Sequence, residues 1–113
     1  MKVVYVAHAL SGDREGNREK AAKWVANLAM RFDIAPIADW IILSGQWDEG
    51  ARALGLSIDC ALIEKCNEVW LVGESISKGM LVEVVHATKQ GILVHDFTGM
   101  AIHEIAREVG EPS

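Results

Sequence analysis

The chain has 113 residues, of which half are hydrophobic and 24% are charged, and its formal net charge is −5. This length and composition predict one globular domain over residues 1–113 and argue against a disordered chain. The acidic charge argues against a nucleic-acid surface, which needs clustered lysine and arginine, and no apolar run is long enough to cross a bilayer.

The cysteines, the histidines and the first residues favour a cytoplasmic protein without a metal. Cys60 and Cys66 fit no zinc or redox spacing, so we expect reduced thiols. The four histidines lack the spacing of metal ligands, and no cofactor is expected. Met1 leads directly into a predicted strand without a secretory pattern, which favours the cytoplasm.

Four strands are predicted from runs of β-branched and aromatic residues. They cover residues 3–7, 33–38, 68–73 and 92–97. Pro36 interrupts the second run, which places that strand at or near a sheet edge, because proline cannot donate to a strand ladder.

Four helices are predicted where apolar residues recur at helical spacing. They cover residues 17–31, 47–65, 77–90 and 101–109. Gly55 is a candidate break in the second helix, and Ser57 is then a candidate N-cap with Asp59 in the first turn behind it. The alternation predicts a doubly wound α/β fold, Rossmann-like or flavodoxin-like. Its sheet should be mainly parallel, with four or five strands and helices on both faces.

The segment from Asp39 to Gln46 is apolar but has no period that separates strand from helix. Trp40 and the three residues after it are too apolar for a solvated loop. They fit an apolar loop over a pocket or against a partner subunit, and we therefore expect a homo-oligomer.

Ligands of open parallel sheets bind outside the carboxyl ends of the strands. This rule selects residues 8–17, 39–47 and 73–83, which are also rich in polar and aromatic side chains. The candidate binding residues in these segments are His8, Ser11, Gly12, Arg14, Asn17, Trp40, Trp47, Ser77, Gly79 and Met80.

The turn from Ser11 to Asn17 opens a helix, so its free N–H groups could hold an anion, with Arg14 adding charge. Two acidic residues in the turn oppose an anion, and a plain strand-to-helix turn is slightly the more frequent interpretation. Either Trp40 or Trp47 could stack on a flat ring, although tryptophans more often lie in a core or an interface.

Three further residues could carry chemistry. Glu83 lies at the border of an apolar helix stripe, where glutamate is usually solvated, but a carboxylate near a dry pocket suits nucleophilic attack. Asp59 could stabilise a helix N-terminus, or donate a proton if its pKa is raised. Tyr5 on a central strand could be a buried tyrosine with a satisfied hydroxyl or a site residue.

Two stretches of the sequence resemble a known enzyme family. The first, VYVAHALSGD, covers residues 4–13, and the second covers residues 58–96. The second contains Asp59, a strand and the pattern Ser-x-Gly-Met-x-x-Glu at residues 77–83. Together they resemble the small, phage-associated branch of the nucleoside 2-deoxyribosyltransferase-like family and, more distantly, the deoxynucleotide N-glycosidases.

The resemblance implies roles for individual residues. Glu83 matches the nucleophile that attacks the anomeric carbon of the sugar, and Asp59 matches an active-site aspartate. Tyr5 matches a tyrosine that contacts the nucleophile or the sugar. The glycosidases hold a 5′-phosphate at the positions of Ser11, Gly12 and Arg14.

The implied activity is cleavage or transfer at the N-glycosidic bond of a deoxynucleoside or deoxynucleotide, in a homo-oligomer. The sequence departs from the family in two places. The loop at residues 73–76, Gly-Glu-Ser-Ile, lacks the second aspartate of the transferases, and nothing after His95 matches the residues that they donate across a subunit interface. A non-catalytic module that binds or sequesters a nucleotide is therefore the alternative. An assembly protein with an apolar interface is a third possibility.

Overall fold

The computed structural model describes residues 1–110, in which a four-stranded sheet lies between two layers of helices. No helix in this range is long and apolar enough to cross a membrane. In chain order the elements are β1 (Lys2–Ala7), α1 (Arg14–Arg31), β2 (Ile34–Ile37), α2 (Trp40–Gln46), a 3₁₀ turn (Glu49–Ala51), α3 (Arg52–Ile63), β3 (Glu68–Leu71), α4 (Lys78–Lys89), β4 (Leu93–Asp96) and α5 (Ile102–Val109).

The sheet has the strand order β2-β1-β3-β4, and all of its pairings are parallel. Tyr5 of β1 lies opposite Ile37 on one side and Val69 on the other. After β1 the chain turns to β2 at one edge and then returns to β3 on the other side, so the winding direction reverses between β1 and β3. The fold is therefore the predicted doubly wound α/β fold, and its reversal point is where such sheets bind ligands. Pro36 lies in β2, an edge strand, as predicted.

Each face of the sheet has its own core. Val6 of β1 packs with Leu28 of α1, in a cluster that also takes in α5. Tyr5, the preceding residue, packs with Ile63 of α3 and Met80 of α4. Because neighbouring residues of a strand point to opposite faces, α1 and α5 cover one side and α3 and α4 cover the other. This arrangement confirms the prediction of helices on both faces.

α1 begins three residues earlier than predicted, because Asp13 caps it. The Asp13 carboxylate accepts a hydrogen bond of 3.1 Å from the backbone N–H of Gly16. Asn17 is therefore inside the helix and not at its start. An acidic side chain already occupies the end of α1 at which we expected an anion, which weakens that expectation.

The predicted break at Gly55 is wrong, and so is the predicted N-cap at Ser57. α3 runs without interruption through both residues. The turn before it is capped by Asp48, whose Oδ1 accepts from the N–H of Gly50 at 2.9 Å. Asp59 consequently lies in the middle of α3, where the helix dipole gives an acidic residue no advantage. Its place inside the protein needs another explanation.

The ambiguous segment after β2 is the short helix α2. Trp40 is buried, and its indole N–H donates a hydrogen bond of 3.1 Å to the carbonyl of Val6. Ile42 of this segment is 72% exposed. The segment is thus held against the sheet by Trp40 and is not an apolar loop.

Candidate functional site

A cleft opens at the carboxyl edge of the sheet, on the face covered by α3 and α4. The cavity volume within it is about 90 Å³. Ten of the thirteen candidate residues line it, and they come from all three predicted segments and from α3. These ten are His8, Ser11, Arg14, Trp40, Trp47, Asp59, Ser77, Gly79, Met80 and Glu83.

The other three candidates lie around the cleft. Tyr5 is fully buried behind Glu83. Asn17 donates from its amide to the carbonyls of Leu10 and Ser11, at 3.0 and 3.2 Å, and so holds the β1–α1 loop in shape. Gly12 lies at the exposed tip of that loop with a φ of +100°, which side chains rarely adopt.

The start of α4 directs Glu83 into the cleft. Ser77 caps the helix, and its hydroxyl accepts a hydrogen bond of 3.2 Å from the N–H of Met80. A Cβ at Gly79 would make only ordinary contacts, the nearest at 3.4 Å from the Arg52 guanidinium, so this position does not require glycine. Met80 fills the core below, and Glu83 follows on the next turn with only 5% of its surface exposed. The serine, methionine and glutamate of the Ser-x-Gly-Met-x-x-Glu pattern therefore have a geometric basis.

Glu83 belongs to a buried cluster of acidic groups. Its Oε2 accepts a hydrogen bond of 2.7 Å from the Tyr5 hydroxyl. Asp59, which is 6% exposed, lies within hydrogen-bonding reach of Glu83. On its other side Asp59 reaches the carboxyl of Asp39. No group of three or more histidine, cysteine, aspartate or glutamate residues in the described range could hold a metal ion.

The pKa values of the ionisable groups in this cluster are all raised, but by different combinations of causes. Burial raises the pKa of Asp59 to about 9, and the negative charge of Glu83 beside it acts in the same direction. Burial also raises the pKa of Glu83, but hydrogen bonds from Tyr5 and Asp59 favour its ionised form. Burial and the nearby carboxylates raise the pKa of Tyr5, so its hydroxyl remains a donor. With a pKa of about 9, Asp59 is a protonated acid at neutral pH, in contact with Glu83.

Arg14 reaches the cleft, but most of its donors are used inside the protein. Nη2 donates to the carbonyls of Ser44 and Trp47 at 3.1 and 3.0 Å, and Nη1 pairs with Glu49 at 2.9 Å. The side chain therefore ties the start of α1 to the end of α2. The sequence did not indicate these stabilising contacts of Arg14.

Two site residues were missed in the sequence. Arg52, at the start of α3, donates a hydrogen bond of 2.9 Å to the Ser11 hydroxyl and stays 41% exposed at the cleft. Asp39 follows β2 in residues 39–47, a segment selected because it follows the carboxyl end of a strand, but the candidates taken from that segment were Trp40 and Trp47. Its position at the carboxyl edge of the sheet was the signal that could have identified Asp39. No feature of the sequence identified Arg52, because the start of α3 at that residue depends on the turn that Asp48 caps.

The tryptophans have different environments. Trp40 is a core residue at the back of the cleft, as its hydrogen bond to β1 requires. Trp47 is partly exposed and lines the cleft at the end of α2. Trp47 is therefore the better placed of the two to stack on a flat ligand.

Comparison with known protein families gives one match. A family described as a domain of unknown function, DUF7768, matches residues 2–97. The chain belongs to this family. No curated protein and no solved structure matches the chain.

The matched range extends from β1 to β4 and ends before α5. It includes the cleft and the whole acidic cluster, so the site described above lies within the DUF7768 domain. The family description assigns no activity. What this DUF7768 domain does must therefore be inferred from the chemistry of its cleft.

Proposed function

We propose that this protein cleaves or transfers at the N-glycosidic bond of a deoxynucleoside or deoxynucleotide. One observation carries the proposal: the carboxyl group of Glu83 lies at a cleft, held by the Tyr5 hydroxyl, beside Asp59, whose pKa burial raises to about 9. A nucleophile next to a proton donor is what this reaction requires. The resemblance of the sequence to nucleoside 2-deoxyribosyltransferase-like proteins names the same three residues.

The reaction would proceed in two steps. In the first, a Glu83 oxygen attacks C1′ of the sugar, and the C1′–N bond breaks with its electron pair going to the base. The Asp59 proton moves to the departing base, which leaves as a neutral molecule. In the second step, water or another base attacks C1′ and releases the Glu83 carboxylate. Asp59 takes up the proton of this attacking group and is restored.

The direct test is release of free base. The protein is incubated with a panel of deoxynucleosides and their 5′-monophosphates, with and without a second base, and the products are separated by chromatography. Free base supports hydrolysis, and a new nucleoside supports transfer. If no substrate of the panel releases base, the proposed reaction is wrong.

The alternative is a module that binds or sequesters a nucleotide without turnover. The observation in its favour is the loop between β3 and α4. The one acidic residue there, Glu74, is exposed and is absent from the lining of the cleft, so the loop supplies no second acid to the site. Binding of a nucleotide with no base release would favour this alternative.

The two arginines at the cleft make a matched test of a phosphate subsite. Arg52→Ala should weaken binding of a 5′-monophosphate by about 1.5–3 kcal/mol, the size of a charge-assisted hydrogen bond, and affect a nucleoside less. Arg14→Ala should instead lower the unfolding free energy by about 1–3 kcal/mol, because two carbonyls lose their donor. Calorimetric titration and thermal unfolding measure both effects. If Arg14→Ala weakens binding of the 5′-monophosphate and Arg52→Ala does not, the phosphate subsite is at Arg14.

We further propose a homo-oligomer in the cytoplasm. Both cysteines are free, as a reducing compartment allows. Apolar side chains are exposed on α2, α3 and α4, a liability for a monomer. They are Ile42, Leu54, Leu81, Val82 and Val85. Sedimentation at micromolar concentration should show at least a dimer, and Leu81→Glu should shift it towards monomer. A wild-type protein that sediments only as a monomer would contradict this prediction.

A further inference from the structure

Asp39 is a half-buried acidic residue that the proposed reaction does not use. It stands at the N-terminus of α2, where an aspartate usually caps the helix with its side chain. Here it makes no capping hydrogen bond, because its own backbone is already helical with φ −54° and ψ −33°. Both carboxyl oxygens are buried, and no described residue donates to them with hydrogen-bond geometry. The side chain is thus turned inward, away from the role its position suggests.

A carboxyl group in this position requires a donor. A buried carboxylate without hydrogen bonds is destabilising, and such groups are normally paired or protonated. The neighbour within hydrogen-bonding reach is Asp59, whose Oδ1 is also buried without a partner. Two carboxyl groups can form a hydrogen bond only if one of them carries a proton. A single proton between the two carboxyls would give a shared hydrogen bond to Asp59 Oδ1 and to one oxygen of Asp39, and the second Asp39 oxygen keeps no donor among the described residues.

We propose that Asp39 and Asp59 share one proton and that Asp39 is a positioning residue for the acid. Asp39 does not line the cleft, so it does not meet the substrate. It acts through Asp59, which lines the cleft and is within reach of both Asp39 and Glu83. Asp59 has a single proton, which bonds to one of these carboxyls at a time: when it lies between Asp59 and Asp39, the bond to Glu83 is not made, and Glu83 is free to act as a carboxylate.

The groups that face this pair come from every element around it. Tyr5 approaches from β1 and Glu83 from α4, while the Cys66 thiol lies before β3. The N–H groups of Asp39 and Trp40 are near enough to favour an ionised Asp39 slightly. Burial of Asp39 works against that, and it raises the pKa of this carboxyl. The two aspartates therefore titrate as a pair, and the last proton of the pair is held to alkaline pH.

Carbon-13 NMR of the aspartate carboxyl groups tests the shared proton without any substrate. In the wild type, the Asp39 and Asp59 signals should both move at one alkaline midpoint, since the departing proton belongs to both. In Asp39→Asn, the midpoint of Asp59 should fall by about one pH unit or more, because a neighbouring carboxylate is gone. The exposed Asp33, just before β2, supplies the control variant Asp33→Asn, which should leave both signals unchanged.

The NMR test of the shared proton does not depend on the proposed reaction, whereas the positioning role of Asp39 rests on that reaction. Should Asp39→Asn not fold, Asp59→Asn replaces it, and the alkaline step of Asp39 should then disappear. If the Asp39 signal of the wild type does not move at alkaline pH, the two residues do not share a proton, and this conclusion holds whether or not the protein is active. If the protein turns over, Asp39→Asn should also move the alkaline limb of kcat to lower pH, and an unmoved limb would overturn the positioning role.

Discussion

Replacing Glu83 with glutamine should lower turnover by at least about 10³-fold while ligand affinity changes little. Glutamine keeps the shape of the side chain and can still accept from the Tyr5 hydroxyl, but it has no charge with which to attack C1′. The lost interaction exists mainly in the transition state, so kcat should fall and the dissociation constant should not. Single-turnover kinetics and calorimetric titration measure the two quantities.

The same change should raise the stability of the protein at neutral pH. The pKa of Glu83 is higher in the folded chain than the ordinary value of 4.5, so its ionisation costs stability as the pH rises above that value. Glutamine never ionises and avoids this cost. Thermal unfolding at pH 7 should therefore show a higher midpoint for Glu83→Gln than for the wild type.

Glu68 supplies the matched control, because it is the other buried glutamate of the described residues. Burial opposes its ionisation, but Lys2, at 2.8 Å, and the indole N–H of Trp70 lower its pKa. Its contribution to stability is therefore present above pH 4.5 and is lost as the pH falls below it. Glu68→Gln should be less stable than the wild type at pH 7 and equally active per folded molecule.

A covalent intermediate gives an independent check on Glu83. With a slow substrate, the wild type should carry a mass adduct of one sugar, and fragmentation should place it on the peptide that contains Glu83. Undiminished base release by the glutamine variant would assign the attack to another group. Equal losses in both glutamine variants would indicate that burial of a charge, and not nucleophilic attack, explains the effect.

The fold was predictable because its strands are short apolar runs separated by helices with clear periods. The parallel order follows from that alternation, and the edge rule then selected the segments that form the cleft. Residues such as Ser77 and Met80 could be placed because one helix start fixes all of them relative to Glu83. Most of the site could therefore be predicted from the order of strands and helices along the chain and from the rule that parallel sheets bind ligands at their carboxyl edge.

The errors came from interactions between residues that are distant in the sequence. Ser57 was a reasonable N-cap from its neighbours, but Asp48 caps the turn ahead of α3 and makes the helix continuous. The hydrogen bonds of Arg14 to the carbonyls of Ser44 and Trp47 were not predicted, because these partners are about 30 residues away; its role at an anion stays a prediction. Asp39 was passed over since nothing local shows that its side chain turns away from the helix that it begins.

Asp59→Asn is the second substitution with a large expected effect on turnover, and the size of that effect depends on pH. The pKa of Asp59 is about 9, so the wild type holds the proton at neutral pH and loses it above that value. Turnover should therefore be sustained up to about pH 9 and decline beyond it. Asparagine has no acidic proton to give, and at neutral pH its turnover should be about 10²- to 10⁴-fold lower, the usual contribution of a general acid.

The loss should depend on the base that departs. A base that is stable as an anion needs little help from a proton, so the Asn variant should approach wild-type turnover with it and lose most with a poor leaving group. The alkaline limb near pH 9 should also vanish from the profile of the variant, because the group that produced it is gone. Measurement of kcat from pH 5 to pH 10, for one good and one poor leaving base, tests both points. An alkaline limb that persists in Asp59→Asn, with an equal loss for both bases, would mean that Asp59 supports the geometry of Glu83 and that the proton comes from elsewhere.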